Sequence, residues 1–367
     1  MSLKAGIVGL PNVGKSTLFS ALTKKQVESS NYPFTTIEPN VSTVALKDKR
    51  LDLISEIVKP NKIIHATFDF VGIAGLVQGA SKGEGLGNKF LSNIREVDAI
   101  IHVIRCFEDK DILHVNNTVD PIRDADIINI ELILADLETI NNVLNRIAKK
   151  AKSGDKESMF EQAVAQKIKS HLESEKSVRD LELDEKELKA IRSYQLLSAK
   201  PMIYVANASA EQLQNLDDPN NIINKVKSHF KNKTKVVSIC VQVESELLTI
   251  ENEQEALDFL ALYNIETSGL DMLTREAFDL LSLETYFTAG VVEVRAWVYK
   301  KGIAAPAAAG IIHSNFEKKF IKADVISYQD FIDFKGEVGA RNAGKLRQEG
   351  KTYIMHDGDI CHFKFGK

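Results

Sequence analysis

No apolar run in this chain of 367 residues approaches the ~18 residues that a membrane-spanning helix needs, so helical membrane proteins drop out of consideration. Cysteine is scarce. Cys106, Cys240 and Cys361 are scattered without the spacing of a metal site or a redox pair, which suits a reducing compartment and thiols buried as small apolar residues. Excess positive charge is missing too. The formal net charge of −4 argues against a strongly basic nucleic-acid binder, and no DNA partner is expected, although a local basic patch is still allowed. There is no internal repeat and no low-complexity tract, and no secretory leader is expected, since MSLKAGIVGL runs straight into a strand. What is there is the composition of a soluble globular protein, 44% hydrophobic and 27% charged. The chain is long enough for two or three domains and is expected in the cytoplasm.

Short apolar runs of strand length occupy residues 3–10, 99–105 and 201–207, and stretches of helical period separate them. That alternation is what βαβ units around a buried parallel sheet require. It is interrupted between about 126 and 200. Ile130, Ile133, Leu137, Ile140, Leu144 and Ile147 repeat at spacings of 3, 4, 3, 4 and 3, the a/d seam of a long helix. The polar turn KSGDKES at 152–158 follows, and Phe160, Val164, Ile168 and Leu172 then run at i, i+4 as a return helix. Asp184 with Glu187 has the form of a capping box opening a helix through Leu188, Ile191 and Leu196. The expected organisation is a helical arm inserted into an α/β domain, with extra helices of a single domain as the plainer alternative. After about residue 282, EVRAWVY, AGIIH, YIMHDGD and CHFKFG are β-like pieces between turns containing Gly and Pro. They predict a small β-rich α+β domain.

Residues 9–17, GLPNVGKST, follow the strand LKAGIV and precede an amphipathic helix carrying Leu18, Phe19 and Leu22. This is G-x-x-x-x-G-K-[ST] in its required strand–loop–helix setting. Glycines let backbone N–H groups close around phosphate oxygens, and the helix N-terminus adds positive potential. Lys15 then reaches the β- and γ-phosphates, while the Ser16 hydroxyl binds magnesium. Nucleotide binding is the expectation. The stretch SSNYPFTTIEPN at 29–40 lies where a switch segment offers a hydroxyl to the metal, although alone it reads more simply as a surface loop.

Together GLPNVGKSTLFSALT, NYPFTTIEPN, GLVQGASKGEGLGNKFLSNIREVDAI and the C-terminal YFTAGVVEVRAW with AAGIIHSNFEKKFI resemble the YchF, or Obg-like, ATPases over essentially the whole chain. The resemblance implies an α/β fold: a P-loop NTPase G-domain of the translation-factor class, residues 1–125 and 200–282. It also implies a helical coiled-coil arm at 126–199 and a C-terminal TGS domain at 283–367. The function implied is a ribosome-associated switch that binds and hydrolyses ATP, with GTP less preferred and Mg2+ as cofactor. The implied partners are ribosomes or ribosomal RNA. By position, Asn12, Val13, Gly14, Lys15, Ser16 and Thr17 hold phosphates, Gly75 is the switch glycine, and Ser16 and Thr36 coordinate magnesium. Asn12 matches an asparagine that accompanies monovalent-cation dependence in related switch proteins, which implies K+. Leu76 falls where many GTPases carry a water-orienting glutamine, and a leucine cannot hydrogen-bond water. His114, in DILHVNN, matches a histidine proposed for that catalytic role, although a lone loop histidine is as readily structural.

Three positions depart from the family. Its base-binding N-x-x-E reads Asn207-Ala208-Ser209-Ala210 here. Asn207 offers its amide to a purine edge with the Ala208 backbone beside it, but Ala210 cannot accept from guanine N1–H and N2–H₂. Guanine selectivity is disfavoured without adenine being selected. The second base loop reads CVQVE at 240–244, where small residues are usual, so Val241 and Gln242 reshape the pocket. The third departure lies in ATFDFVGIAGLVQGA at 66–80. Asp69 and Gly72 spell D-x-x-G, one candidate for the magnesium carboxylate. The family's V-D-I-A-G-L-V, aligned through the long downstream match, instead puts Gly72 at the aspartate and Gly75 at the switch glycine. Strand geometry favours the second reading, because three residues displace Asp69 by ~10 Å and an odd offset turns it to the other face. The expectation is retained nucleotide binding with slow hydrolysis.

Near the C-terminus Lys335, Arg341, Lys345, Arg347 and Lys351 outnumber Glu337 and Glu349, and the arm's turn carries Lys149, Lys150 and Lys152. A solvated helix face is the plain reading of the first group. The implied ribosome association makes either group a candidate for phosphate-backbone contacts. Two functional classes go forward: an ATP-hydrolysing switch on the translation machinery, and a nucleotide-gated binding module with vestigial hydrolysis. A P-loop metabolic kinase ranks third, for want of any sign of an acceptor-substrate pocket.

Overall fold

The structure is a computed structural model that describes residues 3–25, 40–73, 86–231 and 234–366. Among these the strands are β1 (Lys4–Val8), β2 (Val41–Leu46), β3 (Lys62–Ile64), β4 (Ala66–Gly72), β5 (Ala99–Arg105), β6 (Met202–Asn207), β7 (Lys235–Ile239), β8 (Leu283–Ala289), β9 (Glu293–Lys300), β10 (Phe320–Ile326), β11 (Arg347–Glu349) and β12 (Ile360–Phe365). The helices of the first three-quarters of the chain are α1 (Lys15–Lys24), α2 (Lys49–Val58), α3 (Leu86–Arg95), α4 (Pro121–Lys152), α5 (Lys156–Glu173), α6 (Glu185–Ile191), α7 (Ala210–Gln214), α8 (Ile222–Phe230), α9 (Val241–Leu247), α10 (Glu253–Leu262) and α11 (Gly269–Leu280). Then come α12 (Ala305–Ile312), α13 (Ser314–Lys318), α14 (Tyr328–Asp333) and α15 (Glu337–Asn342). Contacts divide the described residues into two units: 3–24, 40–42 and those within 69–273 form the first, and 43–68 with 274–366 the second.

One sheet runs in the order β2-β4-β1-β5-β6-β7. β1 pairs in parallel with β4 and β5, β5 with β6, and β6 with β7. Every residue of β5 and of β6 is buried, as expected for central strands covered on both faces. The three apolar runs foreseen as strands are β1, β5 and β6. Cys106, Cys240 and Cys361 are all free and buried.

Asp120 caps α4 by accepting from the Arg123 N–H, and Pro121 takes the first turn, where its missing N–H costs nothing. Its 32 residues make an unbroken rod of about 48 Å. Ile133, Ile140, Val143 and Ile147 pack against Val164, Ala165, Ile168 and Leu172 of α5, with Leu137 and Leu144 half-buried beside them. Two members of the expected seam lie outside it. Ile130 is 42% exposed and lines a cleft with Glu175 and Lys176, past the end of α5. Phe160 is also 42% exposed, on the first turn of α5. The capping box of Asp184 and Glu187 forms as expected, in both directions.

In the second unit the sheet order is β11-β10-β12-β8-β9-β3. Leu51 and Ile54 of α2 share a core with Phe287, Val294, Ile326 and Phe331, so residues 43–68 fold with the C-terminal sheet although far from it in sequence. Arg50 joins this packing to charge by donating to Asp48 (2.8 Å), Asp357 (2.7 Å) and the Thr285 hydroxyl (2.9 Å). Two pieces expected to be β-like differ. AGIIH is the end of α12, because Pro306 opens a helix and the alanines around it favour one. YIMHDGD contributes only an isolated bridge from Ile354 to Ala304. Of the basic C-terminal residues only Arg341 lies on a helix, α15, so they do not share one helix face. No helix of the described residues is long and apolar enough to cross a membrane.

The segment that returns from the α4–α5 hairpin to β6 is held by one carboxylate. Asp136, fully buried on α4, accepts from the N–H groups of Leu197 (2.8 Å) and Ser198 (2.7 Å) and from the Ser198 hydroxyl (2.6 Å). Asp136→Ala strands these donors and should destabilise the protein by about 2–4 kcal/mol. A thermal unfolding midpoint indistinguishable from wild type would show that this segment is held by packing alone.

Candidate nucleotide-binding site

Between β1 and α1 the backbone turns through residues 9–14. Asn12 adopts φ of 61° and Gly14 φ of 97°, a left-handed region that Asn tolerates and Gly enters freely. Leu10 and Val13 bury their side chains, which leaves the turn lined by main chain. The Leu18 N–H donates to the Gly14 carbonyl at 2.9 Å, the first bond of α1. Glycine at 14 has a second cause: a Cβ there would stand 2.2 Å from Asn207 Nδ2.

Asn207 ends β6 and is 4% exposed. Its Nδ2 donates to the Val13 carbonyl at 3.0 Å, and its Oδ1 accepts from the Val241 N–H at 3.3 Å. Its carbonyl accepts from Cys106 N–H, and the Ala208 N–H donates to Ile239. The structure therefore brings Val13, Gly14, Asn207, Ala208 and Val241 together. A primary amide has two donors and two acceptor lone pairs, so one N–H and one lone pair of Asn207 are left for a ligand. Ala210 opens α7 behind a capping box between Ser209 and Gln212, and carries no acceptor. Gln242 is exposed and reaches Glu246 at 3.4 Å.

Lys15 folds back to donate to the Leu10 carbonyl, and burial pushes its ammonium down to about 8. Ser16 and Thr17 are exposed on the first turn of α1. The described residues hold no cluster of three His, Cys, Asp or Glu fit for a metal. Mg2+ in nucleotide sites takes few protein ligands and draws the rest from phosphate and water, a donor set that the Ser16 hydroxyl fits. Thr36, Gly75 and Leu76 lie outside the described residues.

His114 is buried with both ring nitrogens engaged. Nε2 meets Asp124 Oδ2 at 2.8 Å, and Nδ1 accepts from the Asn116 N–H at 3.1 Å. Asp124 sits in the first turn of α4 and also takes Arg123 at 3.0 Å. The loop around it is fastened twice more. Arg105, buried at the end of β5, donates to the carbonyls of Phe107, Asp109 and Ile112, and Asn12 Nδ2 donates to the Leu113 carbonyl at 3.1 Å. Sequence reasoning missed Arg105, Asn116 and Asp124. Only the Asp120-Pro121 helix start gave a signal, by placing Asp124 in a first turn.

Gly72 is the last residue of β4, opposite Ile7, while Asp69 lies opposite Lys4. The register between them is unbroken, so Asp69 stays ~10 Å away along the strand. The nearest atoms to a Cβ at 72 would be those of the Phe19 ring, at 3.2–3.4 Å, which a small ring shift relieves.

Comparison with known proteins places this geometry. Residues 4–145 match a family model described as 50S ribosome-binding GTPase, and residues 283–366 match the YchF-GTPase C-terminal model, described as a protein of unknown function. The "Ribosome-binding ATPase YchF" of Haemophilus influenzae is 53% identical over 366 residues, covering 100% of this chain and 99% of the relative. Its namesake from Bacillus subtilis is 49% identical, covering 100% of both. The solved Schizosaccharomyces pombe YchF GTPase superposes with a TM-score of 0.89 at 40% identity, covering 99% of this chain and 98% of that one.

Gly14→Ala should abolish nucleotide binding, since the new methyl collides with Asn207 and left-handed backbone costs alanine roughly 1–2 kcal/mol; nucleotide titration that finds wild-type affinity would contradict the geometry. Lys15 generates a pH prediction. Its pKa is about 8 in the free protein and rises when phosphates neutralise it, so binding takes up a proton above that pH. Affinity should be flat below about 8 and then fall roughly tenfold per unit. Titrations from pH 7 to 9.5 in buffers of different ionisation enthalpy test this, and a flat profile with no proton uptake contradicts it.

Proposed function

The chain belongs to the YchF family, and from that premise we propose that it is a ribosome-associated switch that binds ATP at residues 9–17 and hydrolyses it slowly. The name of its full-length relatives, ribosome-binding ATPase, supports both nucleotide and partner. On this chain the carrying observation is Asn207, whose amide fastens the Gly14 turn to the Val241 loop while keeping one donor and one acceptor for a purine. Ala210 leaves guanine N1–H without an acidic acceptor, so GTP is the weaker ligand. Residues 1–125 and 200–282 act as the nucleotide domain, apart from 43–68, which fold with the C-terminal sheet; 126–199 act as the arm and 283–367 as the C-terminal TGS domain, in a cytoplasmic protein.

Asn12 to Thr17 hold the phosphates, Lys15 recovers its full charge against the β- and γ-oxygens, and Ser16 with Thr36 holds Mg2+. When bound, Mg2+ would supply screening of the phosphate charge. The Asn12 amide donates to the Leu113 carbonyl, and its Oδ1 is the atom that would hold a K+. His114 orients water only after leaving Asp124 and Asn116, because both of its nitrogens are occupied. Gly72 supplies no carboxylate to the magnesium-bound water. That makes hydrolysis slow, and it favours a second reading in which the chain is a nucleotide-gated binding module.

Turnover of ATP and GTP, with and without ribosomes, separates the two readings for wild type and Gly72→Asp. The switch reading expects measurable wild-type turnover, raised on the order of tenfold or more by the restored acid, or at least 1.4 kcal/mol of barrier. If the substitution changes neither rate nor magnesium dependence, the role given to position 72 is wrong.

A further inference from the structure

We infer that the tip of the α4–α5 hairpin is an RNA-contacting surface, through phosphates held by Lys149, Lys150, Lys152 and Lys156 and a base stacked on Phe160. This deepens the ribosome reading above and rests on it. The four lysines cluster where α4 ends and α5 begins, all exposed; among the described residues none is within ion-pair distance of a carboxylate, and Lys150 alone lies near enough to Asp155 to favour its charged form. Three of the five C-terminal cations differ. Arg341 pairs with Glu337 at 2.6 Å, Lys345 with Asp330 at 3.3 Å, and Arg347 with Glu349 at 3.6 Å. Charges already paired release fewer counterions on meeting a polyanion, so the unpaired tip is the stronger phosphate site.

The tip holds two carboxylates. Asp155 is engaged in capping α5, accepting from the Ser158 N–H at 2.9 Å, and Glu157 stands alone against four lysines. Phe160 departs from the apolar pattern of its own helix: Val164, Ile168 and Leu172 are buried at the following steps, whereas Phe160 is 42% and Met159 52% exposed. An aromatic face beside flexible point charges is the recurring platform for unpaired bases. Along α4 the tip stands ~40 Å from Asp124, so RNA held there leaves the Gly9–Thr17 turn open to nucleotide. The simpler role for three of these lysines is to offset the negative end of the α4 dipole. That role predicts a small loss of helix stability and no loss of RNA binding.

The test compares the full chain with a tip variant (Lys149, Lys150, Lys152 and Lys156→Gln), Phe160→Ala and a C-terminal variant (Arg341, Lys345 and Lys351→Gln). Each is assayed by ribosome co-sedimentation and by fluorescence anisotropy with a single-stranded RNA, across 50–300 mM KCl. Circular dichroism confirms unchanged helicity, and glutamine avoids adding negative charge at a helix C-terminus. The tip variant should lose roughly a hundredfold in affinity near 100 mM salt in both assays, and its salt slope should fall by about three. Phe160→Ala should lose about tenfold, and the C-terminal variant should bind as wild type. Wild-type levels of binding by the tip variant, or loss confined to the C-terminal variant, overturn the proposal. Loss on ribosomes with unchanged binding to free RNA also overturns it, because the tip then docks on protein. If wild type binds free RNA through the tip but ribosomes at no salt concentration, the ribosome reading fails and the surface stands.

Discussion

The side-chain amide of Asn207 donates to the Val13 carbonyl at 3.0 Å and accepts from the Val241 N–H at 3.3 Å, and three loops take their shape from those two bonds. The phosphate turn must pass close enough for the first, which leaves no room for a Cβ at Gly14. The loop at 240–244 must present a free N–H at Val241, which it does by starting α9 there. The end of β6 must remain in the sheet, where the Asn207 carbonyl holds Cys106. Burial sharpens the dependence, because an amide shut away from water cannot exchange either partner for solvent without exposing the others.

A second group of bonds sets the His114 loop. Arg105 gathers three carbonyls, Asp124 holds the imidazole, and Asn12 reaches across to Leu113. The loop is thus tied to the sheet, to α4 and to the phosphate turn at once. Asp124 and the lysines of the arm's tip occupy opposite ends of one continuous helix. Whatever rotates that rod acts on the same carboxylate that now holds His114.

Local chemistry was legible in the sequence where a short pattern has a single structural answer. The GLPNVGKST turn, the Asp184–Glu187 capping box and the buried strands 99–105 and 201–207 all formed where expected. The longer-range features were not. Nothing near residue 50 hints that Leu51 and Ile54 pack under a sheet built from residues after 282, because such a contact has no sequence period. AGIIH misled through its β-branched pair, which the preceding proline and alanines outweigh. The heptad described the middle of the α4–α5 hairpin well and failed at Ile130 and Phe160, each 42% exposed. In the site, the P-loop residues were readable from type and spacing and Asn207 from the family resemblance, whereas Arg105 and Asp124 act through a loop whose fold no motif encodes.

The half-buried glycine that ends β4 then carries the consequence for function. The strand is regular up to that residue, Asp69 is held three positions back by pairing with Lys4, and backbone and lysine contacts to phosphate need no carboxylate. Nucleotide binding should therefore depend on magnesium much less than it does in a switch protein that keeps its acid. The most direct measurement is calorimetric titration of ATP and of GTP, each with magnesium and with magnesium chelated. The account predicts ATP binding in both conditions, with affinities within about tenfold of each other (1.4 kcal/mol), and weaker binding of GTP. ATP binding that disappears when magnesium is removed would contradict it.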